Sequence, residues 1–251
     1  MVASKRGQRG MTSGCVDEGD AALSFVDLYV FRLDPVKAVL EKMRSVLSED
    51  ELARSTRIIS VAAGHRFCVA RGTLRHVLST YCTIAPEDLT FAYRSHGKPV
   101  LSGLDTGLFF NLSHSGDVGA ISVSKEFEVG VDVEIWRPVR DGLADRFFSS
   151  SEAMALQEIP GIERTAAFFR CWTRKEAVIK ALGEGLSRPL KSFEVSIDDV
   201  SRPKMETMEG EMDPRIAWSL FSFSPRQNVS GAVACLSKGK RVALRLCEAS
   251  I

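Results

Sequence analysis

The chain has 251 residues, 45% of them hydrophobic, and its 33 lysines and arginines against 32 aspartates and glutamates leave a formal net charge of +1. A balance this close to neutral argues against bulk electrostatic binding to nucleic acid, and no apolar run approaches the roughly 20 residues that span a bilayer. The length suits one large domain or two small ones.

The first 20 residues are rich in glycine, serine and charge and lack the apolar segment of a secretory signal. Residues 1–20 are therefore expected to form a disordered tail. The six cysteines, Cys15, Cys68, Cys82, Cys171, Cys235 and Cys247, include no Cys-x-x-Cys pair. Most sit in apolar surroundings, where cysteine acts as a small hydrophobe. With only four histidines in the chain, this argues against a zinc site and for a reducing, cytoplasmic location.

Residues 22–33 read as an opening strand. Asp34-Pro35 breaks it, and Pro35 suits the first turn of a helix running to about residue 47. Ser48 is a helix N-cap, with Glu51 three residues on as the reciprocal partner of a capping box. A basic segment with Arg54 and Arg57 follows. Next, Phe67, Ala70, Leu74, Val77 and Leu78 recur at three- and four-residue spacing and predict an amphipathic helix over about 62–81. Arg66, Arg71 and Arg75 lie along it, either on a solvated face or as a phosphate-binding edge, since the planar guanidinium fork matches phosphate oxygens.

Residues 85–88 read as a turn and 89–93 as a short strand. Gly97-Lys98-Pro99 is a tight loop that presents its lysine on a rigid turn. Residues 109–112 form a strand ending in Asn111-Leu-Ser113-His114-Ser115-Gly116, read as a turn. Its hydroxyls, imidazole and glycine either hold a phosphate or make an ordinary surface turn. Residues 118–123 alternate as a strand.

The next strand anchors the chain. Val129, Val131, Val133 and Ile135 alternate with Gly130, Asp132, Glu134 and Trp136, so the valines face a core while Asp132 and Glu134 share the other face. Two like charges side by side are unfavourable unless a positive group relieves them. Either a hard divalent cation sits there or the strand has a plain acidic outer face. Pro138 ends the strand, and Ser149-Ser-Ser151-Glu152 caps a short helix. A long helix over about 162–182 carries Lys175, Glu176 and Lys180; Glu176 and Lys180 are four apart and share a face, and Gly183 and Gly185 end the helix. Segments 193–197, 217–223 and 232–236 read as antiparallel strands. The strand 118–124 resembles 230–237, which suggests two similar α+β halves. By residue chemistry alone, Asp132, Glu134 and Glu176 offer three carboxylates to Mg²⁺ beside Lys98, His114, Lys175 and Lys180, a set suited to metal-assisted transfer to or from a phosphate compound.

Four motifs in this order and spacing, Gly97-Lys-Pro, Asn111-Leu-Ser-His-Ser-Gly, Gly130-Val-Asp-Val-Glu and Trp172-x-x-Lys-Glu-Ala-x-x-Lys-Ala-x-Gly-x-Gly, resemble the Sfp-type 4'-phosphopantetheinyl transferases over about residues 47–195. The resemblance implies an α+β fold with a pseudo-two-fold arrangement of two similar α/β halves, here 21–126 and 127–251, the latter carrying the Mg²⁺ site. It implies coenzyme A bound at the junction as co-substrate, and transfer of phosphopantetheine to a serine of an apo acyl or peptidyl carrier protein. Carried over by position, Asp132, Glu134 and Glu176 match the Mg²⁺ ligands, and Glu176 is also the candidate base for the carrier serine, which needs one. Lys180 matches the lysine on the diphosphate, with Lys175 beside it; Ser113 and His114 match the phosphate loop; Lys98 matches the adenine-side lysine. Arg54 falls where the 3'-phosphate is met, and Arg66 follows on the next helix. Glu51 stands where some members carry a second lysine, with Arg66 or Arg71 as the compensating cation. A monomer is expected, because both halves of the site come from one chain. Two other readings share some residues: a non-catalytic module that binds coenzyme A or a carrier protein, and a Mg²⁺-dependent phosphohydrolase.

Overall fold

The computed structural model describes residues 23–34, 36–103, 106–199, 202–210 and 217–249; Pro35 and the expected tail over 1–20 lie outside them. The chain runs β1 (Ser24–Arg32), α1 (Lys37–Ser45), α2 (Glu49–Arg57), α3 (Val61–Ser79), β2 (Phe91–Tyr93), β3 (Pro99–Leu101), β4 (Phe109–Ser115) and β5 (Val118–Ser124). It continues with β6 (Val129–Ile135), α4 (Leu143–Phe147), α5 (Ser150–Glu158), α6 (Gly161–Leu182), β7 (Phe193–Val195), β8 (Met205–Met208), β9 (Trp218–Phe223), β10 (Val229–Leu236) and β11 (Val242–Cys247). This is an α+β fold. One sheet has the order β11-β1-β5-β4 and a second the order β6-β10-β9, with β2–β3 and β7–β8 as separate hairpins. All pairings are antiparallel except β1 with β11. The C-terminal strand β11 thus returns to the first sheet.

The order of elements repeats: a strand, three helices, a hairpin and two more strands, with the first strand paired to the last and the last to the one before it. The repeat extends to buried charge. Ser48 caps α2 and Ser149 caps α5, each with a glutamate at the third helical position. Glu51 bonds Arg71 (Nε, 2.6 Å) and Arg75 (Nε, 2.8 Å) of α3, and Glu152 pairs with Lys175 of α6 at 2.7 Å. Arg71 and Arg75 are buried. They therefore face neither solvent nor a phosphate: Glu51 has claimed them, and Arg71 does not compensate for a missing lysine at a ligand.

The alternation read from the anchor strand holds. Val129, Val131 and Val133 pack against Val26, Leu28, Val118 and Ala120 in a core between the two sheets. The other face of β6 meets α6 at very close range. A Cβ on Gly130 would lie 2.0 Å from the Ala177 carbonyl oxygen and 2.4 Å from the Ala181 nitrogen, both backbone atoms that cannot swing aside. Only glycine lets the helix bearing Glu176 and Lys180 settle onto this strand. Gly130→Ala is expected to cost about 1–3 kcal/mol by overpacking, lowering the thermal midpoint by about 2–4 °C per kcal/mol for a chain of this size; a melting curve checks it.

Residues 111–116 differ from the sequence reading. The strand does not end at Leu112 but continues through Ser115, and Gly116 (φ +55) makes the turn. Serine and asparagine composition suggests a turn, but here the polar side chains alternate and their face is buried against β6.

Candidate active site

No backbone ladder joins β4 to β6 among the described residues. Side chains join them instead. Asn111 Oδ1 accepts from the Val131 N–H at 3.0 Å, Ser113 Oγ from Val133 at 3.4 Å and Ser115 Oγ from Ile135 at 3.2 Å. Every second residue of β4 meets every second residue of β6, so the strands run parallel and in step. Two of these hydroxyls then donate to the acidic face: Ser113 to Asp132 Oδ1 (2.9 Å) and Ser115 to Glu134 Oε2 (2.7 Å). The seam between the sheets and the seat of the carboxylates are one structure.

Asp132 is 4% exposed. Lys180 Nζ lies 2.5 Å from its Oδ1, while Oδ2 is buried with no hydrogen-bond partner among the described residues. Burial raises the Asp132 pKa, with Glu134 adding to the effect and Lys180 and Ser113 opposing it. Burial also raises Glu176, helped by the charges of Asp132 and Glu134 and opposed by Lys180. Arg137 Nη1 reaches Glu134 Oε2 at 2.8 Å. Asp132, Glu134, Glu176 and Lys180 therefore occupy one electrostatic field, short of positive charge despite the lysine. Among the described residues, no three His, Cys, Asp or Glu side chains form a preformed metal cage. The orphaned Asp132 Oδ2 and the mutual repulsion of oxygen donors nevertheless fit a hard cation.

Beside them lies a cleft of about 260 Å³ lined by the Gly97–Pro99 turn, Asn111, Glu176, Lys180, Gly183 and Gly185. The Lys180 side chain, 28% exposed, is a cation on the wall of this cleft, as is Lys98. His114 points away from Ser113 and Ser115 and is solvent-accessible in a recess, where loss of surrounding water and the charges of Lys180 and Arg66 lower its pKa against the pull of Glu134. Arg66 holds Asp34 through two bonds of 2.7 and 3.2 Å. Arg54 is exposed, with its guanidinium 5.4 Å from the Phe67 ring centre.

The structure does not bring Lys98 and Lys175 into the cleft as free ammonium groups. Lys98 Nζ donates to Glu128 Oε2 (2.9 Å) and to the Val129 and Ala181 carbonyls (both 3.0 Å), so its three donors are engaged. It ties the β2–β3 turn to β6 and to the end of α6. Lys175 is fully buried and donates to Glu152, to the Leu190 carbonyl at 2.9 Å and to the Phe193 carbonyl at 2.5 Å. Neighbouring helical positions point about 100° apart, which turns Lys175 into the core while Glu176 faces the site. Sequence reasoning missed the parts played by Asn111, Ser115 and Arg137. The polar alternation Asn111, Ser113, Ser115 was the available signal.

The class so defined is an α+β protein with a buried acidic seam between two sheets and one lysine at its mouth. Residues 128–236, which include β6, α6 and all four of these charged groups, match the model of the 4'-phosphopantetheinyl transferase superfamily. The chain is 36% identical over 218 residues to 4'-phosphopantetheinyl transferase HetI of Nostoc sp., covering 85% of this chain and 89% of that protein. It is 31% identical over 166 residues to 4'-phosphopantetheinyl transferase Sfp of Bacillus subtilis, covering 66% and 73%. A third similarity, 44% over 112 residues, is to 4'-phosphopantetheinyl transferase AcpT of Salmonella typhi, covering 43% and 56%. The chain belongs to the Sfp-type 4'-phosphopantetheinyl transferases.

Proposed function

We propose that this protein is a holo-[carrier protein] synthase, moving 4'-phosphopantetheine from coenzyme A to a serine hydroxyl of an apo acyl or peptidyl carrier protein. The observation that carries the reading is the buried Asp132 beside Glu134, Glu176 and Lys180 in a chain of this family. The serine oxygen attacks the phosphorus that bears pantetheine, the bond to the bridging oxygen breaks, and adenosine 3',5'-bisphosphate leaves. Glu176 takes the serine proton, directly or through water. Asp132, Glu134 and Glu176 would hold Mg²⁺, which supplies charge neutralisation at the diphosphate. Lys180 meets the diphosphate and His114 a nearby phosphate oxygen, with Arg54 and Arg66 toward the 3'-phosphate, while Ser113 serves the site by holding Asp132 and Lys180 rather than a phosphate. Lys98 and Lys175 act by fixing the cleft wall and α6.

In this reading the two repeated units are halves related by a pseudo-two-fold, with coenzyme A at their junction, and a single chain suffices as the working unit. The five described cysteines carry free thiols, in keeping with a cytoplasmic setting, and no helix among the described residues is long and apolar enough to cross a membrane. The carrier protein docks on the segment between Pro138 and Gly161. A cleft of about 310 Å³ bordered by Val139, Ala144, Leu156 and Phe168 lies there, and Met154 is 64% exposed. Phe148 is core at 1% exposure and Phe147 stacks edge-on against Trp172, so neither is a free anchor.

Adenosine 3',5'-bisphosphate release, measured with coenzyme A and Mg²⁺ in the presence and absence of apo carrier protein, tests the reading. Release that requires the carrier is expected. Release without it would indicate a phosphohydrolase, and coenzyme A binding with no release a non-catalytic module.

A further inference from the structure

We propose that Ser115 is a positioning residue that presents Glu134 to the divalent cation; the inference rests on the metal reading above. Its hydroxyl does two jobs at once. It accepts from the Ile135 N–H at 3.2 Å and donates to Glu134 Oε2 at 2.7 Å. The hydroxyl is thereby fixed by the backbone of β6 itself, one residue beyond the carboxylate it orients. Arg137 approaches the same Oε2 at 2.8 Å. Together they occupy one oxygen of Glu134 and leave Oε1 as the one to turn toward Asp132 and Glu176. Without Ser115, the remaining hydrogen-bond partner of the half-buried carboxylate among the described residues is Arg137, whose side chain is 59% exposed. Partners that orient a ligating carboxylate commonly change metal affinity by roughly 10- to 100-fold when removed.

Asn111 provides the contrast. It makes the same kind of bond, to the Val131 N–H at 3.0 Å, at the same seam, but no hydrogen bond from its side chain to Asp132, Glu134 or Glu176 is present among the described residues. Loss of either residue leaves a strand N–H unpaired and weakens the seam. Only loss of Ser115 frees a carboxylate.

The test is titration calorimetry of the full chain with Mg²⁺ alone, alongside thermal unfolding, for the wild type, Ser115→Ala, Ser115→Thr and Asn111→Ala. The expected result is a roughly 10- to 100-fold weaker Mg²⁺ affinity for Ser115→Ala, recovery in Ser115→Thr, which keeps the hydroxyl, and near wild-type affinity in Asn111→Ala despite a comparable loss of stability. Wild-type affinity in Ser115→Ala, or equal weakening in Asn111→Ala, overturns the positioning role while leaving the metal reading intact. No Mg²⁺ binding by the wild type overturns the metal reading and this inference with it.

Discussion

Asp132→Asn abolishes transfer and leaves the protein folded. Asparagine has the shape of aspartate and keeps an oxygen for Ser113 and Lys180, so the seam between β4 and β6 survives. What disappears is a negative charge buried at 4% exposure. The sign of the stability effect follows from the pKa. Burial raises the Asp132 pKa above its ordinary value even against Lys180, so the folded state disfavours the charged form, and at neutral pH that charge costs stability rather than adding it. The variant should therefore melt at or above the wild-type temperature. Activity moves the other way. Removing one preorganised electrostatic group from a reacting centre typically costs about 10²–10³ in rate, and the loss is greater if the metal is lost with it. Rates of holo-carrier formation and melting curves on the same samples check both halves. An active Asp132→Asn enzyme would remove Asp132 from the metal site.

Glu51→Ala has the largest effect on stability. Glu51 is 3% exposed and accepts from Arg71, Arg75 and the Ser48 backbone N–H. Arg75 is 1% exposed and also donates to the Pro86 and Leu89 carbonyls at 2.8 Å. Truncating the carboxylate takes from two buried guanidinium groups the carboxylate they both bind, which costs about 3–5 kcal/mol. At about 2–4 °C per kcal/mol, the midpoint should fall by roughly 6–20 °C. Acid acts on the same group. Burial alone would raise the Glu51 pKa, but Arg71, Arg75 and the Ser48 N–H outweigh it and hold it below the usual carboxylate value. A depressed carboxylate contributes its stability above the unfolded pKa and loses it as pH falls through the folded one. The gap between wild type and Glu51→Ala should thus be full near neutrality and close in acid. Denaturation across that range measures it, and a gap that widened in acid would contradict the assignment.

Much of the site was legible because periodicity carries orientation. Alternation along residues 129–135 put the valines in the core and Asp132 and Glu134 together, and four-residue spacing put Glu176 with Lys180. What stayed hidden depended on partners distant in the chain. Nothing near Glu51 announces that Arg71 and Arg75, 20 and 24 residues on, will close over it, so a buried clamp read as a solvated or phosphate-binding face. Lys175 looks like a second ligand lysine until Glu152 and two carbonyls are found around it. Ser113 and Ser115 read as a turn because small polar residues favour turns when isolated; facing β6 at every second position, they instead replace a backbone ladder. The repeat of strand order and of the glutamate clamps had only a short echo in sequence, since packing keeps the role of a residue while allowing Arg75 in one unit and Lys175 in the other.

The most direct test of the central claim is the intact mass of an apo carrier protein after incubation with this protein, coenzyme A and Mg²⁺, with an EDTA control. The account predicts a gain of one phosphopantetheine on the carrier, absent in EDTA. An unchanged mass across acyl and peptidyl carriers, despite measurable coenzyme A binding, would contradict it.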